Sequence, residues 1–304
     1  MNLKKMFERG TAVLATSIVL NATEVKGQVP QSPDKNQIEN SHIQHNKDQN
    51  MPNGFQRDFV VGSMNSHEKI VASLFYFEEG KTKAEFLSND LHPEAFSPEI
   101  NYDKIRRIVE SKGKDFVIAF AGAYKSPSNN IEGVALEEGI SVGEQNFSKW
   151  SGFVYITPDG NIELLRLKDA QENFDRGAAE NLVQKAEQEQ GSLFQQIPAI
   201  WNGEKKMTSS SPDKFEYRAI CETKDGKKFV LNCSEKITLN DFLDMALNLK
   251  SENGGQLIKT LMLEDTGVYS YGVFEDKDGK PYTMVDENYA DNKKGYTNVV
   301  VISK

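Results

Sequence analysis

Few side chains in this 304-residue sequence are placed to do chemistry on their own. There is no G-x-S-x-G, no H-E-x-x-H, no phosphate-binding P-loop and no dinucleotide fingerprint. His92 is the only histidine well inside the foldable part of the chain, so a histidine-based triad is not expected. Cys221 and Cys233 invite a disulfide reading, which strand geometry opposes. Arg218 to Glu222 and Lys228 to Cys233 read as strands joined at Lys224-Asp225-Gly226-Lys227, a strong hairpin signal. A two-residue Asp225-Gly226 turn pairs Lys224 with Lys227, setting Cys221 opposite Val230 and Cys233 opposite Arg218. Residues 218 and 221 point to opposite faces of a strand, so two separate thiols are expected. A bulge would restore a shared face but leave the thiols offset along the strands. No cofactor is expected, and no residue is assigned as a metal ligand.

The elements that must position these residues come from hydrophobic periodicity. Lys69 to Phe77 and Thr82 to Leu87 read as strands around a Glu79-Gly80 turn. Tyr102 to Glu110 reads as a helix capped by Asn101, with Ile105, Ile108 and Val109 on one face. Asp115 to Phe120, Gly133 to Leu136, Gly152 to Ile156 and Ile162 to Leu167 follow as strands, and Ala178 to Gln190 as a polar, peripheral helix. Thr238 caps a helix whose Leu239, Phe242, Leu243, Ala246 and Leu247 share a face. Lys259 to Glu264, Tyr271 to Phe274, Tyr282 to Val285 and Asn298 to Ile302 complete the strands. Strands outnumber helices, which are scattered between them. The fold class is mixed α/β (α+β) with a largely antiparallel sheet.

Composition sets outer bounds. The chain has 36 Lys+Arg against 45 Asp+Glu, a net charge of −9, which disfavours nucleic acid or an anionic membrane as partner. No apolar run reaches the roughly 18 residues a membrane helix needs. Lys4, Lys5 and Arg9 precede an apolar stretch, Thr11 to Leu20, of signal-peptide length, and cleavage before Gln28 fits Val25-Lys26-Gly27. The expected organisation is a signal peptide over 1–27, a disordered linker over 28–55 and one domain over 56–304, in a periplasmic or secreted protein with no integral membrane segment after cleavage. His42, His45 and His67 lie in or near the linker. A His-rich metal site there competes with a solvated linker, and composition favours the linker.

From about residue 70 onward, the order of segments resembles the phosphodiester glycosidase family, most closely its bacterial periplasmic members. Phe116 to Tyr124 (FVIAFAGAY) looks like the family's strand ending in a small-residue turn and an aromatic. Asn130 to Gly139 looks like its glycine-containing hairpin, and Trp150 to Gly160 (WSGFVYITPDG) like the strand and turn that follow. Phe194 to Gly203 matches the place of a Gly-Pro segment, and Arg218 begins the strand where the family has its arginine. Leu261 to Ser270 (LMLEDTGVYS) occupies the place of the signature Leu-x-Leu-Asp-Gly-Gly-x-x-Ser. The sequence departs from the family at Phe120, where the family has Asn, and at Ile197, where it has the Gly of Gly-Pro. It departs again at Glu264, Asp265 and Thr266, in place of Asp-Gly-Gly.

The resemblance implies hydrolysis of a sugar-1-phosphodiester through an oxocarbenium-like transition state, with a carbohydrate or sugar-phosphodiester ligand. Such chemistry needs a carboxylate facing the anomeric carbon, an acid or base partner, and a cation for the phosphate. The resemblance puts Glu264 and Asp265 in the catalytic roles, Arg218 on the phosphate, and Tyr124, Gly122 and Ser270 around the ligand. Glu264 and Asp265 are strand neighbours, so both reach one pocket only if the strand has ended in a turn. The departures leave a second reading: a catalytically inactive member that binds a glycan, another ligand or a protein on the same scaffold.

Overall fold

The computed structural model describes residues 38–45, 51–64, 66–126, 128, 130–264, 273–275, 279–283 and 296–304. The expected signal peptide therefore lies outside the described residues, as do Asp265 and Ser270.

Among the described residues the strands form two antiparallel sheets. In chain order they are β1 (Glu39–Gln44), β2 (Phe55–Met64), β3 (His67–Phe77), β4 (Lys83–Ser88), β5 (Phe116–Phe120), β6 (Ala135–Glu137), β7 (Ile140–Val142), β8 (Gly152–Ile156) and β9 (Ile162–Arg166). They continue with β10 (Ser192–Trp201), β11 (Glu204–Lys205), β12 (Arg218–Thr223), β13 (Lys228–Cys233), β14 (Ile258–Leu263), β15 (Val273–Glu275), β16 (Pro281–Thr283) and β17 (Asn298–Ser303). The larger sheet runs β1-β2-β3-β13-β12-β14-β10-β6-β7, with β8 and β11 also on β10 and β9 on β8. The smaller runs β16-β15-β5-β17-β4. The helices are α1 (Pro93–Phe96), α2 (Tyr102–Ser111), α3 (Arg176–Glu189) and α4 (Leu239–Asn248). The mixed, mostly antiparallel α+β class read from the sequence is the class observed.

Strand alternation sorts the core into layers. Phe75, Ile220, Val230, Met262 and Phe194 of the large sheet meet Phe86, Ile118, Phe120 and Val300 of the small one in a single apolar cluster between the sheets. On the outer face of the large sheet, Ala219, Cys221, Phe229 and Leu231 pack under Phe242, Leu243 and Ala246 of α4. Leu136, Phe153 and Leu193 pack under Ala179 and Ala186 of α3. Ile105 and Val109 of α2 cover Ala119, Val299 and Val301 on the outer face of the small sheet. Two caps are the ones legible in sequence, Asn101 accepting from Lys104 N–H and Thr238 from Asp241 N–H, while α3 is capped by Asp175, which accepts from Ala178 N–H.

Two expectations need correction. The segment expected as linker contains β1 and the start of β2, and β1 closes one end of the large sheet. The chain's polar composition there suits an edge strand: only Ile38 and Ile43 are turned in against the outer-face cluster, while the alternate side chains face water. The β12–β13 hairpin is also one residue out of the expected register. Cys221 stands opposite Phe229 and Arg218 opposite Asn232. The loop is closed by Thr223 N–H to Lys227 O at 2.9 Å, leaving Lys224, Asp225 and Gly226 between, with Gly226 at φ +89°. A three-residue loop with glycine in the left-handed position wins over the two-residue turn. Both cysteines consequently face the same outer cluster rather than opposite faces, and both remain free thiols.

No helix among the described residues is long and apolar enough to cross a membrane.

Candidate functional site

The apolar filling between the sheets stops at one level and is replaced there by a polar row. Ala219 and Ile197 both pair with Leu263, so the residues beside them, Arg218 and Gln196, flank Glu264 at the next step. Glu264 N–H donates to Arg218 O at 3.1 Å, carrying the ladder past the end of β14. Arg218 pairs with Asn232, and Asn232 with Ser73. Each of these residues is two positions along from an inter-sheet apolar residue: Phe194, Met262, Ile220, Val230 and Phe75. Strand alternation therefore turns Gln196, Glu264, Arg218, Asn232 and Ser73 to the same face, as neighbours across five strands.

All of them are buried, and Arg218 and Glu264 show 0% exposure. The Arg218 Nε lies 3.9 Å from a Glu264 carboxylate oxygen and donates to Asn232 Oδ1 at 3.3 Å. Its Nη1 and Nη2 have no hydrogen-bond partner among the described residues. A guanidinium taken wholly out of water needs both counter-charge and acceptors, and 3.9 Å supplies the first without a hydrogen bond. Two guanidinium donors without an acceptor among the described residues fit the oxygens of a phosphate or carboxylate.

The small sheet faces this row with polar backbone and small side chains. Asn298, at the start of β17, accepts from Ala123 N–H at 2.8 Å and donates to Ala123 O at 3.2 Å. It fixes the turn after β5. Gln196 Nε2 crosses from the large sheet to Gly122 O at 2.5 Å. A side chain at Gly122 would meet Asn298 Oδ1 at 2.8 Å, so glycine is what lets the turn sit there. Gly152, beside Gln196 in β8, leaves no room either: a Cβ would lie 2.5 Å from Gln196 O. Phe120 is fully buried one pleat further inward, opposite Val300, and forms part of the apolar floor next to the polar level.

The two sheets are pinned together nearby by a buried carboxylate. Glu137 of β6 accepts from Ser88 N–H at 2.8 Å, from Ser88 Oγ at 2.6 Å, and contacts His92 Nε2 at 2.7 Å. The hydrogen bond to Glu137 raises the His92 pKa above 6.5, against the opposing effect of burial. Serine and histidine both address the carboxylate rather than each other, so this is a pin and not a nucleophile–base relay.

Of the residues singled out from the sequence, the structure brings together Arg218 and Glu264, and places Gly122 on the facing sheet joined to their row through Gln196. Tyr124 is not in the row. It is half-buried against the outer-face cluster, and its carbonyl accepts from Glu132 N–H at 2.7 Å. Asp265 and Ser270 lie outside the described residues. Gln196, Asn232 and Asn298 were missed. Their signal was present as polar residues interrupting the strands Ser192–Trp201, Lys228–Cys233 and Asn298–Ser303, but only the strand register shows that they meet. Cys221 offers no competing nucleophile: burial, reinforced by the Glu264 charge, pushes its thiol pKa well above 9.0.

The two-sheet sandwich is a fold shared with a solved enzyme domain. The particular likeness is to the catalytic domain of zebrafish N-acetylglucosamine-1-phosphodiester alpha-N-acetylglucosaminidase, described as auto-inhibited by its pro-peptide. It has a TM-score of 0.51 and 11% identity, and covers 87% of this chain and 88% of that one. The likeness is one of fold. No family model matches the sequence, and no curated protein matches it.

Proposed function

We propose that this chain is an exported glycosidase that hydrolyses a sugar-1-phosphodiester at the Arg218–Glu264 level of the sandwich. The observation that carries the reading is the fully buried Arg218, whose Nη donors lack acceptors among the described residues, beside an equally buried carboxylate. The fold likeness adds a scaffold on which that chemistry is carried out. Arg218 would hold the phosphate oxygens in a bidentate grip. Glu264 would face the anomeric carbon and balance the positive charge that develops as the C1–O bond breaks. Water adds to C1, the phosphate leaves as a monoester, and Asp265 is the proposed source and sink of the proton. Gln196 and Asn232 would position the two charged groups, and Gly122 would let the backbone approach the ligand. Tyr124 and Ser270 remain proposed contacts at the edge of the ligand. Export through cleavage of residues 1–27, to the periplasm or medium, belongs to the same reading.

A second reading has its own support. Arg218 and Glu264 show no exposure, and Phe120 and Ile197 stand where the family has Asn and Gly. On that reading the scaffold binds a glycan or other partner without turnover. The two are separated by incubating the purified chain with a chromogenic ester of N-acetylglucosamine 1-phosphate. Hydrolysis is expected from the native chain and its loss from Glu264→Gln and Arg218→Lys variants whose circular dichroism is native. Equal turnover in the variants contradicts the assignment.

A further inference from the structure

The pin at Glu137 stands one strand pair away from the turn that reaches the polar row. β4 ends at Ser88 and β17 begins at Asn298, and these two residues are partners. One more ladder bond, Asn89 N–H to Thr297 O at 2.7 Å, follows before the chain turns into α1. Strand ends open more readily than strand centres. This end is clamped from the other sheet. Glu137 Oε2 accepts from Ser88 N–H at 2.8 Å and from Ser88 Oγ at 2.6 Å. A second tie lies beside it, where Gly143 N–H, just past β7, donates to Asp90 Oδ2 at 2.7 Å.

Beyond Ser88 the contacts lead to the site. Asn298 accepts from Ala123 N–H and donates to Ala123 O. Gly122 O, one residue back, accepts from Gln196. Gln196 flanks Glu264 across the ladder. Glu137, Ser88, Asn298 and Gln196 are all buried. In a close-packed interior a shift at one such member moves the next.

His92 joins this set from the surface. Its side chain is 21% exposed, and its Nε2 lies 2.7 Å from Glu137 Oε1. The charged groups around it are Glu137 of β6, Glu94 of α1 and Lys112 at the end of α2. The hydrogen bond to Glu137 raises its pKa above 6.5, and burial and Lys112 act against it. Lys112 is itself held by Glu85 at 2.8 Å and by Glu138 at 2.5 Å. Protonated, His92 grips Glu137 through a charge-assisted hydrogen bond; neutral, it keeps at most an ordinary one.

We propose that Glu137 is a positioning residue for the Gly122 turn, acting through Ser88 and Asn298, and that the charge on His92 sets how firmly the turn is held. The proposal deepens the reading of the Arg218–Glu264 level as a ligand site and rests on it. With His92 protonated, the turn is fixed where it meets the ligand. As pH rises through the folded His92 value the hold loosens. KM then rises more than kcat changes, because the turn meets the ligand rather than the breaking bond.

Two measurements on the full chain and its His92→Gln variant test this. The variant changes a half-exposed side chain, so its fold is preserved. Below pH 6.5, hydrogen exchange of the Ala123 amide, corrected for its intrinsic rate, should be about fivefold or more faster in the variant, the difference between a charged and a neutral hydrogen bond. The gap should close as pH rises through the folded His92 value. On the chromogenic phosphodiester, the native KM should rise about fivefold or more over the same interval. The variant should show the higher KM throughout. Equal exchange at Ala123 in the two chains overturns the proposal, whether or not the diester is hydrolysed. Hydrolysis whose KM follows one pH course in both chains also overturns it, and leaves the Arg218–Glu264 assignment standing. The exchange difference without hydrolysis would uphold the positioning and remove the hydrolytic reading instead.

Discussion

Arg218 and Glu264 are both charges without water, and their energetics follow from that alone. Removing one member strands the other as a buried charge without its counter-charge, which typically costs about 3–5 kcal/mol. Glu264→Leu should therefore lower unfolding stability by about that amount. The Arg218→Met/Glu264→Leu double variant should recover most of the loss, because no charge is left buried. Chemical denaturation of the three chains checks this. Additive losses would show that the 3.9 Å approach is not an energetic coupling. A smaller charge effect attaches to His92. Its folded pKa is raised, so protonation stabilises the fold fully below the unfolded value of 6.5, and that contribution is lost as pH rises through the folded value. The melting temperature should fall across that rise, and the fall should be reduced in His92→Gln. An identical profile in the variant would mean that the Glu137 contact does not couple to folding.

Elements place these residues through register, and register was the part of the sequence hardest to read. α2 and α4 were legible with their caps because Asn101 and Thr238 stand one residue ahead of a helical apolar stripe. Gly152–Ile156 and Lys228–Cys233 were legible to the residue, since their apolar runs end at turn residues. β10 was harder. Pro198 lies inside it, opposite Met262, and is tolerated because the register shifts there between Pro198 and Ile200. β1 was invisible because an edge strand needs few apolar residues, and its pairing with β2 is a long-range fact. The hairpin slip of one residue moved both cysteines onto one face, which local propensity alone did not decide. Arg218 and Glu264 were found through a resemblance of segments, whereas Gln196, Asn232 and Asn298 became site residues only when strands were aligned. Alignment at β8 and β10 makes its own prediction. Gly152→Ala would press a methyl to 2.5 Å from backbone, with Pro198 and Met262 also within 3.0 Å. The variant should lose about 1–3 kcal/mol of stability, and activity more than stability, because Gln196 would be displaced. A denaturation midpoint equal to the native one would show that the two strands separate easily at this level.

At the scale of the whole molecule, an α+β sandwich holds a buried polar level at one end of β12 and an open cavity around the hairpin at its other end. The inter-sheet core below the polar level is apolar. The fold allows more than one chemistry, and the reaction proposed for this chain is bond-specific: breakage between the anomeric carbon and oxygen, with Arg218 proposed on the phosphate and Glu264 facing the sugar. A phosphodiesterase built on the same arginine would break the bond to phosphorus instead. Hydrolysis of an N-acetylglucosamine 1-phosphodiester in ¹⁸O-labelled water separates the two by mass spectrometry of the products. The account predicts the label in the sugar hydroxyl and unlabelled phosphomonoester, with no labelled product from Glu264→Gln. Label in the phosphate, or no hydrolysis of the diester by the native chain, would contradict it.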